Sequence, residues 1–204
     1  MVVTALLNRL RNRVEGSINT VALYASKLGF SPDELTVISL IVALLGFFTV
    51  LVYGSGLALS LVVLLSGFID SLDGALARLK GTASRRGAFL DSFIDRICEA
   101  LFALSFIELG INVYVVVLFL VFSYLISYAR ARGESLGMQL AGVGLMERAE
   151  RVLALAVSAL LIDFYRDVAY YSYVAFTILT GITVLQRFLY TWKALKVHVS
   201  ADKS

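Results

Sequence analysis

The stretch DSLDGALARLKGTASRRGAFLDSFID, residues 70–95, sets Asp70, Asp73, Asp91 and Asp95 among Arg78, Lys80, Arg85 and Arg86. Apolar segments flank it on both sides: LALSLVVLLSGFI (57–69) runs into it, and ICEALFALSFIEL (97–109) follows one residue after it. What those neighbours are built to touch decides how the charges are read. The chain of 204 residues is 59% hydrophobic and only 16% charged, with a mean hydropathy of +0.86. A soluble domain is about half apolar and about a quarter charged. The excess places this chain in the bilayer.

Working outward, six apolar runs approach the roughly 20 residues that a membrane helix needs. They lie near 35–54, from Leu57 into the charged stretch, from Gly87 to about Leu109, at 111–129, at RVLALAVSALLIDF (151–164) and at 169–192. The fifth is short and is expected to recruit residues from GLMERAE (144–150). The connections GSG (54–56) and ELGIN (108–112) carry no Lys or Arg, and only Arg166 lies on their side. The opposite connections hold almost all of the others, from Arg9, Arg11, Arg13 and Lys27 through Arg130 and Arg132 to Lys193, Lys196 and Lys203. The positive-inside rule puts both termini and the charged loops in the cytoplasm, which requires an even number of spans. VTALLNRLRNRVEGSI (3–18) reads as an amphipathic helix that lies on an anionic membrane surface or packs on the rest of the protein; it is not a signal peptide.

The expected fold is therefore an all-α integral membrane protein of one domain. It has an amphipathic N-terminal segment (1–30), a core of six transmembrane helices (31–192) and a polar tail (193–204), without internal repeats. The lone Cys98 excludes an internal disulfide, and the lone His198, in the tail, excludes a His-rich zinc or iron site. No nucleic-acid partner is expected.

In a helix, residues three and four apart share a face. Asp70, Asp73, Gly74 and Ala77 then line one stripe at the end of the second span, and Gly87, Asp91 and Asp95 one stripe at the start of the third. A loop near 79–86 returns the chain antiparallel, so the two stripes face each other across small residues. Ionisable groups at membrane depth are expensive, and four unpaired carboxylates repel. Oxygen ligands without His or Cys suit Mg2+, Mn2+ or Ca2+, and such a centre holds phosphates and activates an attacking oxygen. Arg78, Arg85 and Arg86 are close enough in sequence to hold further phosphate oxygens.

The string Asp70-x2-Asp73-Gly74-x2-Ala77-Arg78-x8-Gly87-x3-Asp91-x3-Asp95 resembles, at every fixed position, the signature of the CDP-alcohol phosphotransferase family. The resemblance implies a dimeric six-helix membrane enzyme that moves a phospho-alcohol from a CDP-linked donor to an acceptor hydroxyl and releases CMP. It implies that Asp70, Asp73 and Asp91 ligate Mg2+ or Mn2+, with Asp95 both ligand and general base. It gives Gly74, Ala77 and Gly87 the role of making room for the nucleotide, and Arg78 that of touching its phosphates. SPDELT (31–36) is similar to the family's Pro-Asn-x-x-Thr start of the first span. Pro32 and Thr36 fit, while Asp33 stands where Asn is usual.

A second constellation concerns the acceptor. Arg130 ends the fourth span in SYARARGESLG (127–137), Arg148 and Arg151 open the fifth, and Arg187 sits inside an apolar run of the sixth, where a charge needs a partner. Arginines from three helices make a phosphate site that a neutral acceptor would not need. These strings resemble the branch of the family that makes phosphatidylinositol phosphate in actinobacteria and archaetidylinositol phosphate in archaea. The implied acceptor is inositol phosphate, held by Arg130, Arg148 or Arg151, and Arg187, and the implied donor a CDP-linked membrane lipid. Glycerol 3-phosphate is the alternative acceptor, and a soluble CDP-inositol the alternative donor. From another class, a divalent-cation transporter would also gather carboxylates, but transporters show internal repeats and helices broken near the midplane.

Overall fold

The structure is a computed structural model that describes residues 16–201, with side chains for residues 16–195; residues 1–15 of the expected amphipathic helix and the side chain of His198 lie outside the described part. The described residues form seven helices and no strand. These are α1 (16–27), α2 (Pro32–Tyr53), α3 (Gly56–Lys80), α4 (Arg85–Glu108), α5 (Val113–Ser135), α6 (Arg148–Ile162) and α7 (Arg166–Ala201).

Local signals set most of the boundaries. Ser31 and Glu34 make a capping box at the start of α2, with Glu34 N–H donating to Ser31 Oγ (3.3 Å) and Ser31 N–H to Glu34 Oε2 (2.8 Å), and Pro32 in the first turn. Ser55, Ser84 and Asn112 cap α3, α4 and α5, each through a side-chain oxygen that accepts one backbone N–H. Gly54 ends α2 in the left-handed region (φ 61°), where a residue without Cβ is least strained. At Gly46 the backbones of α2 and α3 approach so closely that a Cβ would run into Val62.

Helices α2, α3, α5 and α7 are long and apolar enough to cross a membrane. Their outward faces carry exposed residues such as Ile41, Leu45, Phe48, Leu61, Leu65, Val117, Val121 and Leu185, while Ala43, Val50, Leu59, Val63, Phe102, Phe106, Phe119 and Tyr173 form the buried core. A protein surface this apolar is what lipid, not water, requires.

Of the six expected crossings, four are identified by length and composition among the described residues. Helix α6 has 15 residues, about 22 Å at 1.5 Å per residue, against a hydrocarbon core of about 30 Å. It starts at Arg148 and takes in only the last part of GLMERAE, because Met146 and Val143 are held back by side chains described below. Helices α3 and α4 both pack chiefly on α2, and α3 also on α6. The two are thus held apart at their charged ends, and a cleft opens between them. Helix α1 lies across these ends, with Ala22 and Ala25 buried against Leu35, Leu72 and Leu76.

The far end of the bundle is tied by Asp163, at the C-terminus of α6. Its carboxylate accepts from the N–H groups of Gly56 (2.9 Å) and Leu57 (2.8 Å) and from Ser55 Oγ (3.2 Å), so it caps α3 across more than a hundred residues of chain. Asp163→Ala is expected to cost about 2 kcal/mol, at the upper end of measured caps, read as a lower unfolding temperature in detergent. Asp163→Asn should recover part of the loss.

Candidate active site

Helix α3 delivers Asp70, Asp73, Gly74, Ala77 and Arg78 to the cleft, and α4 delivers Gly87, Asp91 and Asp95. One oxygen each of Asp70, Asp91 and Asp95 lies within 4.8 Å of the others. Asp91 and Asp95 are four apart and superpose on one face. Asp73 is three residues from Asp70, about 60° short of a full turn, and diverges from the cluster. Its Oδ2 accepts from Thr36 Oγ1 (2.5 Å), and both residues are buried. Thr36 and Asp73 therefore lock α2 to α3 on the wall of the cleft.

The carboxylates are not left alone. Arg148, from the first turn of α6, donates through Nη1 to Asp70 Oδ2 (2.7 Å) and through Nη2 to Asp70 Oδ1 (3.0 Å), and pairs with Asp95 Oδ1. Arg96 Nη1 donates to Asp95 Oδ2 (3.1 Å). Asp95 is 5% exposed, and Arg148 Nε is buried with no hydrogen-bond partner among the described residues. Three carboxylates, all hard oxygen donors, converging on one point fit a divalent cation. Arg148 supplies the positive charge that such an ion would bring.

Three cavities surround this cluster. One, of about 520 Å³, is bounded by Pro32, Asp33 and Thr36 of α2, by Asp73, Gly74, Ala77 and Arg78 of α3, and by Gly87 and Asp91 of α4. A Cβ at Gly87 would stand 3.4 Å from Asp33 Oδ1, which places that acid on the cavity wall. The second, of about 590 Å³, holds Asp70, Asp73, Asp91, Arg78 and Arg148, with Asn19 of α1 on its rim. The third, of about 180 Å³, is lined by Arg96, Arg130, Arg148, Arg151 and Arg187 with Glu147. Arg78 faces the first two, and Arg148 the last two.

The four expected acceptor arginines thus meet at one pocket, in different states. Arg130 is exposed and, among the described residues, pairs with Glu134 alone (2.8 Å). Arg187 is 2% exposed and donates to Val143 O (2.8 Å), Ile126 O (2.9 Å) and Glu147 Oε1 (3.0 Å). Arg151, also 2% exposed, is bidentate to Glu99 (2.5 and 3.0 Å) and donates to Met146 O (3.0 Å). Sequence reasoning missed Arg96, Glu99 and Glu147. Glu99 was within reach of it, because 87, 91, 95 and 99 continue one four-residue stripe. Arg96 gave no signal beyond adjacency to Asp95.

Residues 30–192 match the CDP-alcohol phosphatidyltransferase family. The chain belongs to that family. As a CDP-alcohol phosphatidyltransferase it is a transferase of phospholipid synthesis and an integral membrane protein. It is similar to archaetidylinositol phosphate synthase of Aeropyrum pernix, 37% identical over 187 residues that cover 91% of this chain and 95% of that one. The enzyme of the same name from Pyrococcus horikoshii is 32% identical, with 94% and 100% covered. A solved structure of Mycobacterium tuberculosis phosphatidylinositol phosphate synthase with CDP-DAG bound superposes with a TM-score of 0.78 at 28% identity, covering 86% of this chain and 93% of that one. Another structure of that enzyme is in complex with manganese and citrate.

Proposed function

We propose that this phosphatidyltransferase moves the phospho-alcohol of a CDP-linked lipid onto a hydroxyl of inositol phosphate and releases CMP, with its site and both termini facing the cytoplasm. The observation that carries the reading is the arginine-lined pocket next to the carboxylate cluster, with Arg148 as their common wall. A phosphorylated acceptor is what such a pocket would select, and the names of the similar archaeal and mycobacterial enzymes agree with it.

Asp70, Asp91 and Asp95 would hold the divalent ion, Mg2+ or Mn2+, with Asp73 beside them on the cavity wall. The ion would neutralise the donor diphosphate and polarise its phosphorus. Pro32, Thr36, Gly74, Ala77 and Gly87 bound the space for the nucleotide, and Arg78 offers its guanidinium to the phosphates between the first two cavities. Arg130, Arg187 and Arg148 orient the acceptor phosphate. Asp95 takes the proton from the attacking hydroxyl. That oxygen bonds to the phosphorus carrying the lipid, and the bond from this phosphorus to CMP breaks, so CMP leaves with the electron pair. We further propose that the protein works as a homodimer, as the family resemblance implies.

The test is an acceptor screen read by CMP release, with purified protein, CDP-lipid and Mg2+ or Mn2+. CMP with inositol phosphate and none with inositol is expected. CMP with glycerol 3-phosphate instead would establish the phosphatidylglycerophosphate-type reaction, and none with any phosphorylated polyol would overturn the proposal. Arg130→Gln, at an exposed position, should raise the KM for inositol phosphate about tenfold, the equivalent of one charge-assisted hydrogen bond, with the unfolding temperature unchanged.

A further inference from the structure

The seam between α5 and α7 opens into a groove of about 260 Å³ that shares no residue with the arginine pocket or the carboxylate cleft. Leu125, Tyr128 and Arg132 form one stripe of α5 at helical spacing, and Phe188, Thr191 and Trp192 face them from α7. The walls are apolar except at the charged end of the bundle, where Arg132 and Thr191 gather. Arg132 is exposed, and its guanidinium has no hydrogen bond or ion pair among the described residues, whereas Arg130 two residues earlier is paired with Glu134. Thr191 Oγ1 is buried with no hydrogen-bond partner among the described residues, an arrangement that native proteins seldom tolerate without a ligand or water. Phe188 and Trp192 stack, with ring centroids 6.0 Å apart and an interplanar angle of 18°, and give the groove a flat floor.

These features select among ligands. A free phosphate gains nothing from the apolar length of the groove, and a zwitterionic lipid brings no net charge to Arg132. Tyr and Trp mark the depth at which headgroups begin, and basic pockets between membrane helices at that depth take anionic headgroups. We propose that the α5–α7 groove binds an anionic phospholipid of the membrane, one chain lying along Leu125 and Phe188 and the phosphate against Arg132 and Thr191, at a site separate from that of the CDP-linked donor.

The experiment is native mass spectrometry of the full chain in detergent, titrated with phosphatidylglycerol or with phosphatidylcholine of the same chains. Phosphatidylglycerol should be retained about fivefold better, the contribution of one arginine near a membrane surface. Arg132→Gln should abolish that preference and Arg132→Lys should keep it. Thr191→Val, which preserves shape and removes the hydroxyl, should lower retention of both lipids. Equal retention of the two lipids by the parent protein would overturn the proposal, as would an unchanged ratio in Arg132→Gln. So would displacement of phosphatidylglycerol by CDP-lipid, which would place it in the donor cleft, or by inorganic phosphate. Conversion of a dimer to a monomer by Arg132→Gln without added lipid would make a second copy of the chain the occupant, with the same result.

Discussion

Asp95→Asn is expected to stop CMP release while CDP-nucleotide still binds. The substitution keeps the size of the side chain and removes its ability to accept the acceptor's proton. General-base catalysis alone contributes about 10²–10⁴-fold, and loss of an ionised oxygen from the metal-binding set adds to this. Nucleotide binding should survive, because the first cavity is built from Pro32, Thr36, Gly74, Ala77 and Gly87 and does not include Asp95. The measurement is single-turnover CMP release set beside CDP binding to the same preparation. Turnover within about tenfold of the parent, far short of the loss of a general base, would remove Asp95 from that role.

The second large effect is one of folding. Arg151→Met and Glu99→Leu should each destabilise the protein by about 3–5 kcal/mol, because either leaves a buried charge without its partner. Arg151 and Glu99 are 2% and 5% exposed, so water cannot replace the lost hydrogen bonds. The double variant should recover most of the loss, since two apolar side chains of similar volume carry no desolvation penalty. Unfolding temperatures in detergent decide the matter. If Arg151 instead serves the acceptor phosphate, Arg151→Met will leave the unfolding temperature in place and raise the acceptor KM.

That contrast shows where sequence reasoning stops. The starts of α2 to α5 fall within three residues of the apolar runs, and the structure fixes them at Ser31-Pro32, Ser55, Ser84 and Asn112 by local hydrogen bonds that span three residues or fewer. The start of α6 is fixed differently. Residues 136–147 fold back under tertiary control, with Arg151 holding Met146 O, Arg187 holding Val143 O and Glu147 accepting from Gly142 N–H. The four-residue spacing of Asp91 and Asp95 announced their convergence, and the structure unites them with Asp70. The three-residue spacing of Asp70 and Asp73 concealed a divergence that Thr36 exploits. The arginines of α5, α6 and α7 were identifiable as a group, but their separate duties depend on partners far along the chain. Glu99 lies 52 positions from Arg151, and Ile126 lies 61 from Arg187.

Arg148 has one guanidinium and two cavities to serve. A planar fork can bridge Asp70 and Asp95 in a way that the single ammonium of a lysine cannot. Whatever draws that fork away from the carboxylates makes it available to an anion on the other side. The two occupants are then thermodynamically linked: each must raise the affinity of the other by the same factor. Under the proposed function the two half-sites would fill as a pair, and titrating one while varying the other measures the coupling directly.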